Sequence, residues 1–303
     1  MMHLNMKAQP SRKSMPRPAP QGRPEPFPAR TGRPLTFYKM HGLGNDFVIF
    51  HGEAPLSPEA MRKVADRRQG IGCDQVLFFH DLGPGVFQYR VFNADGSEAE
   101  QCGNGLRCLA RLAYDLGAPE DAELRFEGPG GIHRARHVDG ERIRVDMGVP
   151  TLDPRSIPFM APARRASYPI DVSGMEFTVG AVSMGNPHLI LRVQNLETAP
   201  VAKIGPALET HPRCPARANI GFVEIHSREL IHLRVHERGA GETRACGSGA
   251  CAAVVWGQLM DWLDPRVVVH LPGGTLVVEW TGDGSPVYMT GPATPVFSGV
   301  IEP

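Results

Sequence analysis

The sequence lacks any run approaching the ~20 consecutive apolar residues that a membrane-spanning helix needs, so it contains no such helix. It also lacks net charge, because 32 Lys and Arg balance 32 Asp and Glu. No overall basic footprint for nucleic acid is left. A glycine-rich P-loop is missing, and so are cysteine or histidine pairs at zinc spacing, which argues against nucleotide- and zinc-dependent chemistry. The N-terminus has no apolar segment of the kind a secretory signal carries.

What is present is enough to build a large core. The 303 residues are 42% hydrophobic, sufficient for one large domain or two of ordinary size. Glycine (34) and proline (29) are both abundant, which suggests many tight turns and a strand-rich fold. Charge is unevenly spread. Residues 1–34 hold seven Lys or Arg, eight prolines and a single acid, Glu25. We expect residues 1–35 to form a disordered Pro/Arg-rich tail, since such a composition cannot bury enough apolar surface to offset its ordering entropy. Six cysteines, at 73, 102, 108, 214, 246 and 251, are expected to be reduced thiols in a cytoplasmic protein, because a chain this long needs no disulfide staples.

The chain contains two copies of one pattern. Gly44-Asn45 precedes a β-rich run, and Gly185-Asn186 precedes another. Cys102-Gly103-Asn104-Gly105 is matched by Cys246-Gly247-Ser248-Gly249. From Asn45 to Cys102 is 57 positions and from Asn186 to Cys246 is 60; from Gln75 to Cys102 and from Asn219 to Cys246 are both 27. The same order at near-equal gaps indicates two halves of similar fold. Ser57-Pro58-Glu59 has the N-cap, first-turn proline and first-turn acid of a helix running to about Arg68. A second helix is expected from Cys102 to about Leu116, stopped by Gly117. A third, from Cys246 to about Leu263, is apolar on all sides and so expected to be buried. Strands are expected at 87–92, 142–147, 176–182, 232–236, 266–270 and 287–290, many divided by Gly/Pro turns. The expected class is α+β: two similar domains from an internal duplication, each a curved, mostly antiparallel sheet wrapped around a buried central helix. The expected boundaries are 36–147, with 289–303 as a candidate addition, and 148–288.

Each Cys-Gly-x-Gly places a thiol where a glycine-rich turn enters a helix. Free backbone N–H groups and the helix dipole favour an anion there, whether a substrate carboxylate or a thiolate. On a helix, Cys108 lies 240° round the axis from Cys102 and Cys251 lies 140° round from Cys246, so neither pair can chelate a metal. Cys108 and Cys251 read as core residues. Two thiols facing one carbon suit racemisation or epimerisation without a cofactor: one removes the α-proton and the other protonates the opposite face. A non-catalytic amino-acid binding protein would not need a thiol at both helix starts.

Residues 37–47, 92–98 with 102–105, 183–188 and 237–249 resemble the motifs of the diaminopimelate epimerase family, over a stretch from about Thr36 to the C-terminus. The resemblance implies interconversion of L,L- and meso-diaminopimelate in lysine and peptidoglycan-precursor biosynthesis, with no cofactor and no metal. It implies that Cys246 takes the proton from the L,L isomer and Cys102 supplies one, with His188 and Glu237 tuning the thiols. It implies substrate contacts from Asn45, Gln75, Asn93, Gly103, Asn104, Asn186, Asn219, Glu237, Arg238, Gly247 and Ser248. Tyr288 matches a tyrosine at the family's dimer contact, so a homodimer is expected. Proline racemases also pair two cysteines; the asparagines and Arg238 favour a substrate with a second amino-acid head group.

Overall fold

The computed structural model describes residues 34–52, 56–99 and 102–302, so nearly all of the expected tail lies outside the described residues. The first half opens with strands β1 (Leu35–Gly42) and β2 (Asn45–His51) and helix α1 (Pro58–Ala65). Strands β3 (Gln75–Gly83), β4 (Val86–Asn93) and β5 (Glu98–Ala99) lead into helix α2 (Gly103–Asp115). Strands β6 (Leu124–Gly128), β7 (Gly131–Asp139) and β8 (Arg142–Asp146) complete this half. The second half runs β9 (Tyr168–Val172), β10 (Met175–Ser183), β11 (Pro187–Arg192), α3 (Val201–Glu209), β12 (Asn219–Ser227), β13 (Leu230–Glu237) and β14 (Gly241–Thr243). Helix α4 (Gly247–Leu259) follows, then β15 (Arg266–Leu271), β16 (Gly274–Glu279), β17 (Tyr288–Pro292) and β18 (Thr294–Ile301).

The duplication is written in the strand pairing. Among the described residues only four pairings are parallel, and they fall at equivalent places: β2 with β3 and β4 with β6, then β11 with β12 and β13 with β15. The registers match residue for residue. Phe47 stands opposite Gln75, and His188, the same distance after its Gly-Asn, stands opposite Asn219. All other pairings are antiparallel. Strand β17 joins the halves by pairing with both β16 and β8, and β18 returns to pair with β1.

Each half wraps its sheet around one helix. Nearly every residue of α2 from Gly103 to Tyr114 is buried, as is α4 from Gly247 to Gly257 except Ser248. Both helices contribute to one continuous apolar cluster, with Cys108 and Cys251 inside it as core residues. Close packing explains the small residues: a Cβ on Gly180 would lie 2.2 Å from the Trp256 ring.

Two helices stop earlier than the sequence reading placed them. Helix α1 ends at Ala65 rather than Arg68, because Asp66 turns extended and its carboxylate accepts from the Arg68 and Gln69 amides, both at 2.7 Å. Helix α4 ends at Leu259 rather than Leu263. Asp261 adopts a left-handed conformation (φ 56°), and the Trp262 and Asp261 amides bond back to the Gly257 and Gln258 carbonyls. That is a Schellman ending with Asp in the place glycine usually takes. Helix α2 closes the same way through Gly117 (φ 113°), as expected. The sequence reading passed over α3, whose internal Pro206 obscures a helix signal.

Candidate functional site

The two thiols cap the two buried helices. Cys102 is the N-cap of α2, in extended backbone, and its sulfur accepts from the Gly105 amide at 3.4 Å. Cys246 is the N-cap of α4, with its sulfur 3.7 Å from Ser248 Oγ. The helix starts face each other. Asn104 Nδ2, in the first turn of α2, donates to the carbonyl of Ala245, immediately before α4, at 3.3 Å. A Cβ on Gly247 would come within 3.2 Å of Asn104 Oδ1 and 2.9 Å of Met289 Sδ. A Cβ on Gly103 would come within 2.8 Å of Met147 Sδ and 3.0 Å of the same Met289, so a side chain at either start must displace these methionines.

Loop geometry delivers the other groups. Leu43 and Gly44, both with positive φ (58° and 86°), make the two-residue hairpin that puts Asn45 at the start of β2. Asn45 Oδ1 then lies 3.2 Å from Asn104 Nδ2 and 3.8 Å from Cys102 Sγ. Gln75 and Asn93 are cross-strand partners, and Gln75 Nε2 donates to Asn93 Oδ1 at 3.0 Å. In the second half, Asn186 Nδ2 donates to Ser248 Oγ at 3.4 Å, and His188 Nε2 meets Asn186 Oδ1 at 3.0 Å. Asn219 is buried; its Oδ1 accepts from the Arg238 amide at 2.9 Å and its Nδ2 donates to the Pro187 carbonyl at 3.2 Å. Glu237 accepts from Thr243 Oγ1 and is hydrogen-bonded to the Cys246 thiol. Asn45 and Asn104 thus adjoin the Cys102 helix start, Asn186, Ser248 and Glu237 adjoin Cys246, and Gln75 with Asn93 and Asn219 with Arg238 form separate hydrogen-bonded pairs. Tyr288 lies apart on β17, with the Arg144 guanidinium 4.0 Å above its ring.

The electrostatics depart from one simple expectation. Helix N-termini lower thiol pKa values, yet here burial outweighs them. Burial pushes Cys102 up to about 11; the Gly105 N–H and Arg107 pull back, while Glu237 adds to the rise. Cys246 is raised well above the ordinary thiol range, first by burial and second by the Glu237 charge. Burial also raises Glu237. His188 is buried and held down to about 3 by desolvation, with the Arg238 charge second, so its imidazole is neutral. Several acceptors wait without partners: Gln75 Oε1, Asn104 Oδ1 and His188 Nδ1 are buried and unpaired. Such groups are costly unless a ligand supplies donors. Among the described residues there is no cluster of three or more His, Cys, Asp or Glu able to hold a metal ion, and no helix is long and apolar enough to cross a membrane.

Sequence reasoning missed three supporting groups. The Asp46–Asp74–Arg67 cluster lies behind Asn45 and Gln75. Glu209, buried on α3, accepts from His236 Nε2 at 2.7 Å and from the Gly239 amide at 2.9 Å, bracketing Glu237 and Arg238. Arg107 is fully buried with no carboxylate partner among the described residues; Nε donates to the Pro292 carbonyl at 3.2 Å. The signal that could have found the first is local, since Asp46 and Asp74 adjoin Asn45 and Gln75. Glu209 had none, because only tertiary folding brings α3 to β13.

Comparison with known proteins sets this geometry in a family. The diaminopimelate epimerase family model matches residues 37–152 and 180–296. A diaminopimelate epimerase of Halorhodospira halophila is 53% identical over 271 residues, covering 88% of this chain and 94% of its own length. One from Thioalkalivibrio sulfidiphilus is 52% identical over 274 residues, covering 88% and 98%. Among solved structures, a Bacillus anthracis phenazine biosynthesis protein of the PhzF family superposes with a TM-score of 0.64 at 17% identity, covering 89% of this chain and 99% of its own. A hydroxyproline epimerase from Agrobacterium vitis does so with 0.62 at 13% identity, covering 89% and 91%. These last two share the fold.

Proposed function

The chain belongs to the diaminopimelate epimerase family, and from that premise we propose that it is an isomerase interconverting L,L- and meso-2,6-diaminopimelate by a two-thiol acid/base mechanism. The observation that carries this reading is the pair of N-cap thiols, Cys102 and Cys246, on two buried helices whose starts are tied together by Asn104. The substrate α-carbon sits between the two sulfurs. Its carboxylate takes the free amides of the first turns of α2 and α4, contributed by Gly103, Asn104, Gly247 and Ser248.

Both thiols rest protonated, since burial raises both. One proton must leave before abstraction can start. Glu237, hydrogen-bonded to Cys246 and itself raised by burial, is the proton acceptor closest in affinity. The Cys246 thiolate removes the α-proton of the L,L isomer, and Cys102 delivers its proton to the opposite face. The reverse direction exchanges their roles. The carbanion's charge spreads into the carboxylate, where the helix-start amides hold it. Neutral His188 orients Asn186, and so the hydroxyl of Ser248 beside Cys246.

Asn45, Gln75, Asn93, Asn186, Asn219 and Arg238 bind the substrate. The unpaired Gln75 Oε1 and Asn104 Oδ1 suit ammonium donors. The functional domains are 36–147 together with 289–303, and 148–288; the return of β18 to β1 supports this division. The enzyme acts in the cytoplasm, in lysine and peptidoglycan-precursor biosynthesis, as a homodimer contacting through Tyr288, without a cofactor. The deciding experiment incubates L,L-diaminopimelate with the protein in D₂O under reducing conditions and follows α-deuteration and meso product. Turnover is expected, and expected to persist after exhaustive chelation. Failure to deuterate the α-carbon would refute the reading.

A further inference from the structure

Behind Asn45 lies a charged clamp. Asp74 Oδ2 accepts from Asn45 Nδ2 and from the Asp46 amide, both at 3.0 Å. In return, the Asp74 amide donates to Asp46 Oδ1 at 3.0 Å. Arg67 bridges the two carboxylates, with Nη2 2.6 Å from an oxygen of each. Lys39, buried in β1, pairs with the other oxygen of Asp46. The start of β2 and the residue just before β3 are thereby locked together.

The second half has no such device. The register that equates Asn45 with Asn186 and Gln75 with Asn219 puts Pro187 in the place of Asp46 and Ala218 in the place of Asp74. There the Pro187 carbonyl simply accepts from Asn219 Nδ2. The clamp is therefore not a requirement of the strand pairing, which forms without it.

A carboxylate is acceptor-only, so an amide beside it must turn its NH₂ toward it. We propose that Asp74 is a positioning residue that, together with the Asn104 Nδ2 donor on the other side, fixes the sense of the Asn45 amide, so that Oδ1 rather than Nδ2 faces Cys102. The inference rests on the two-thiol reading of the cleft and deepens it. An oxygen facing the sulfur accepts from S–H and favours the protonated thiol, whereas an NH₂ there would favour the thiolate. The clamp thus keeps Cys102 as the proton donor for the L,L isomer. It also leaves Asn45 Oδ1, shared with Asn104 Nδ2, as an acceptor inside the cleft.

The test uses the full chain with Asp74→Ala and Asp74→Asn. The Asp74 side chain is 44% exposed, so alanine opens no buried hole, and Asp74→Ser serves if it does not fold, the hydroxyl being too short to reach Asn45. The other titratable groups acting on Cys102, namely Glu237, Arg107, Tyr89 and Cys108, are retained in all three, and the one of them that feels the Asp74 charge, Glu237, loses that influence equally in Asp74→Ala and Asp74→Asn. Iodoacetamide alkylation of Cys102 and Cys246 is followed against pH by peptide mapping, with KM and kcat for L,L-diaminopimelate in parallel. Asp74→Ala should alkylate Cys102 on the order of tenfold faster at neutral pH, with Cys246 unchanged, and raise KM more than it lowers kcat. Asp74→Asn, which loses the charge but keeps a carbonyl acceptor, should retain the wild-type Cys102 profile. Equal shifts in both variants would show a charge effect alone and overturn the proposal, as would no shift in either. If the wild type itself does not epimerise diaminopimelate, the functional reading fails, but the alkylation profiles still judge the clamp.

Discussion

The Glu237 charge acts on both thiols, and Glu237→Gln is the perturbation that isolates it. In the wild type Cys102 is pushed up to about 11 and Cys246 well above the ordinary thiol range, with the Glu237 charge adding to burial at both. A thiol at about 11 has roughly one thiolate in 10⁴ at pH 7, against about one in 30 for an unburied thiol near 8.5. Removing one negative charge close to both thiols is worth on the order of 1–2 kcal/mol, or about tenfold in thiolate population. The change should be larger at Cys246, which is also hydrogen-bonded to Glu237. Glu237→Gln should therefore alkylate faster with iodoacetamide at both cysteines, Cys246 most, across pH 6–10. Its turnover should nevertheless fall by at least tenfold, because the acceptor for the thiol proton is gone. The combination of more reactive thiols and a slower enzyme separates a chemical role from simple loosening. Slower or unchanged alkylation at both sulfurs would refute the reasoning.

Other expectations follow from the same geometry. Cys102→Ala and Cys246→Ala should each abolish epimerisation, while the remaining thiol should still exchange the α-proton on its own face; NMR in D₂O distinguishes the two, and near wild-type epimerisation in either variant would refute the two-thiol mechanism. Mild oxidation should inactivate the enzyme by joining Cys102 to Cys246, with protection by substrate and recovery in dithiothreitol; peptide mapping that instead found Cys73 in the linkage would count against facing sulfurs. Gly247→Ala should cost about 1–3 kcal/mol and most of the activity, because the added methyl meets Met289 and Asn104, so a variant with normal melting and kcat/KM would refute that packing. Burial raises Cys102 and Cys214 to about 11 and Cys73, Cys108 and Cys251 to about 12, while unfolded thiols titrate near ~8.5. Groups raised in the folded state stabilise fully below the unfolded pKa and lose that contribution as pH rises. The urea midpoint should accordingly fall between about pH 9 and 12, and a flat profile would contradict it.

The sequence by itself determined the duplication, the two glycine-rich helix starts and the identity of the thiols, because each is a local pattern repeated at matched spacing. Gly117 announced the end of α2, and the all-apolar face of α4 announced its burial. Short-range chemistry of this sort is legible from neighbours in the chain. Helix ends set by side chains were less so: Asp66 and Asp261 stop α1 and α4 through backbone conformations that their residue types permit but do not dictate. Tertiary structure alone decided the rest. The return of β18 to β1 joins residues more than 250 positions apart, and no periodicity encodes such a pairing. The Asn104–Ala245 bond that sets the helix starts face to face spans 141 positions. The sign of the thiol shifts was decided there too. A helix N-terminus, visible in sequence, favours the thiolate, but burial on all sides, visible only once both sheets close around α2 and α4, disfavours it more strongly.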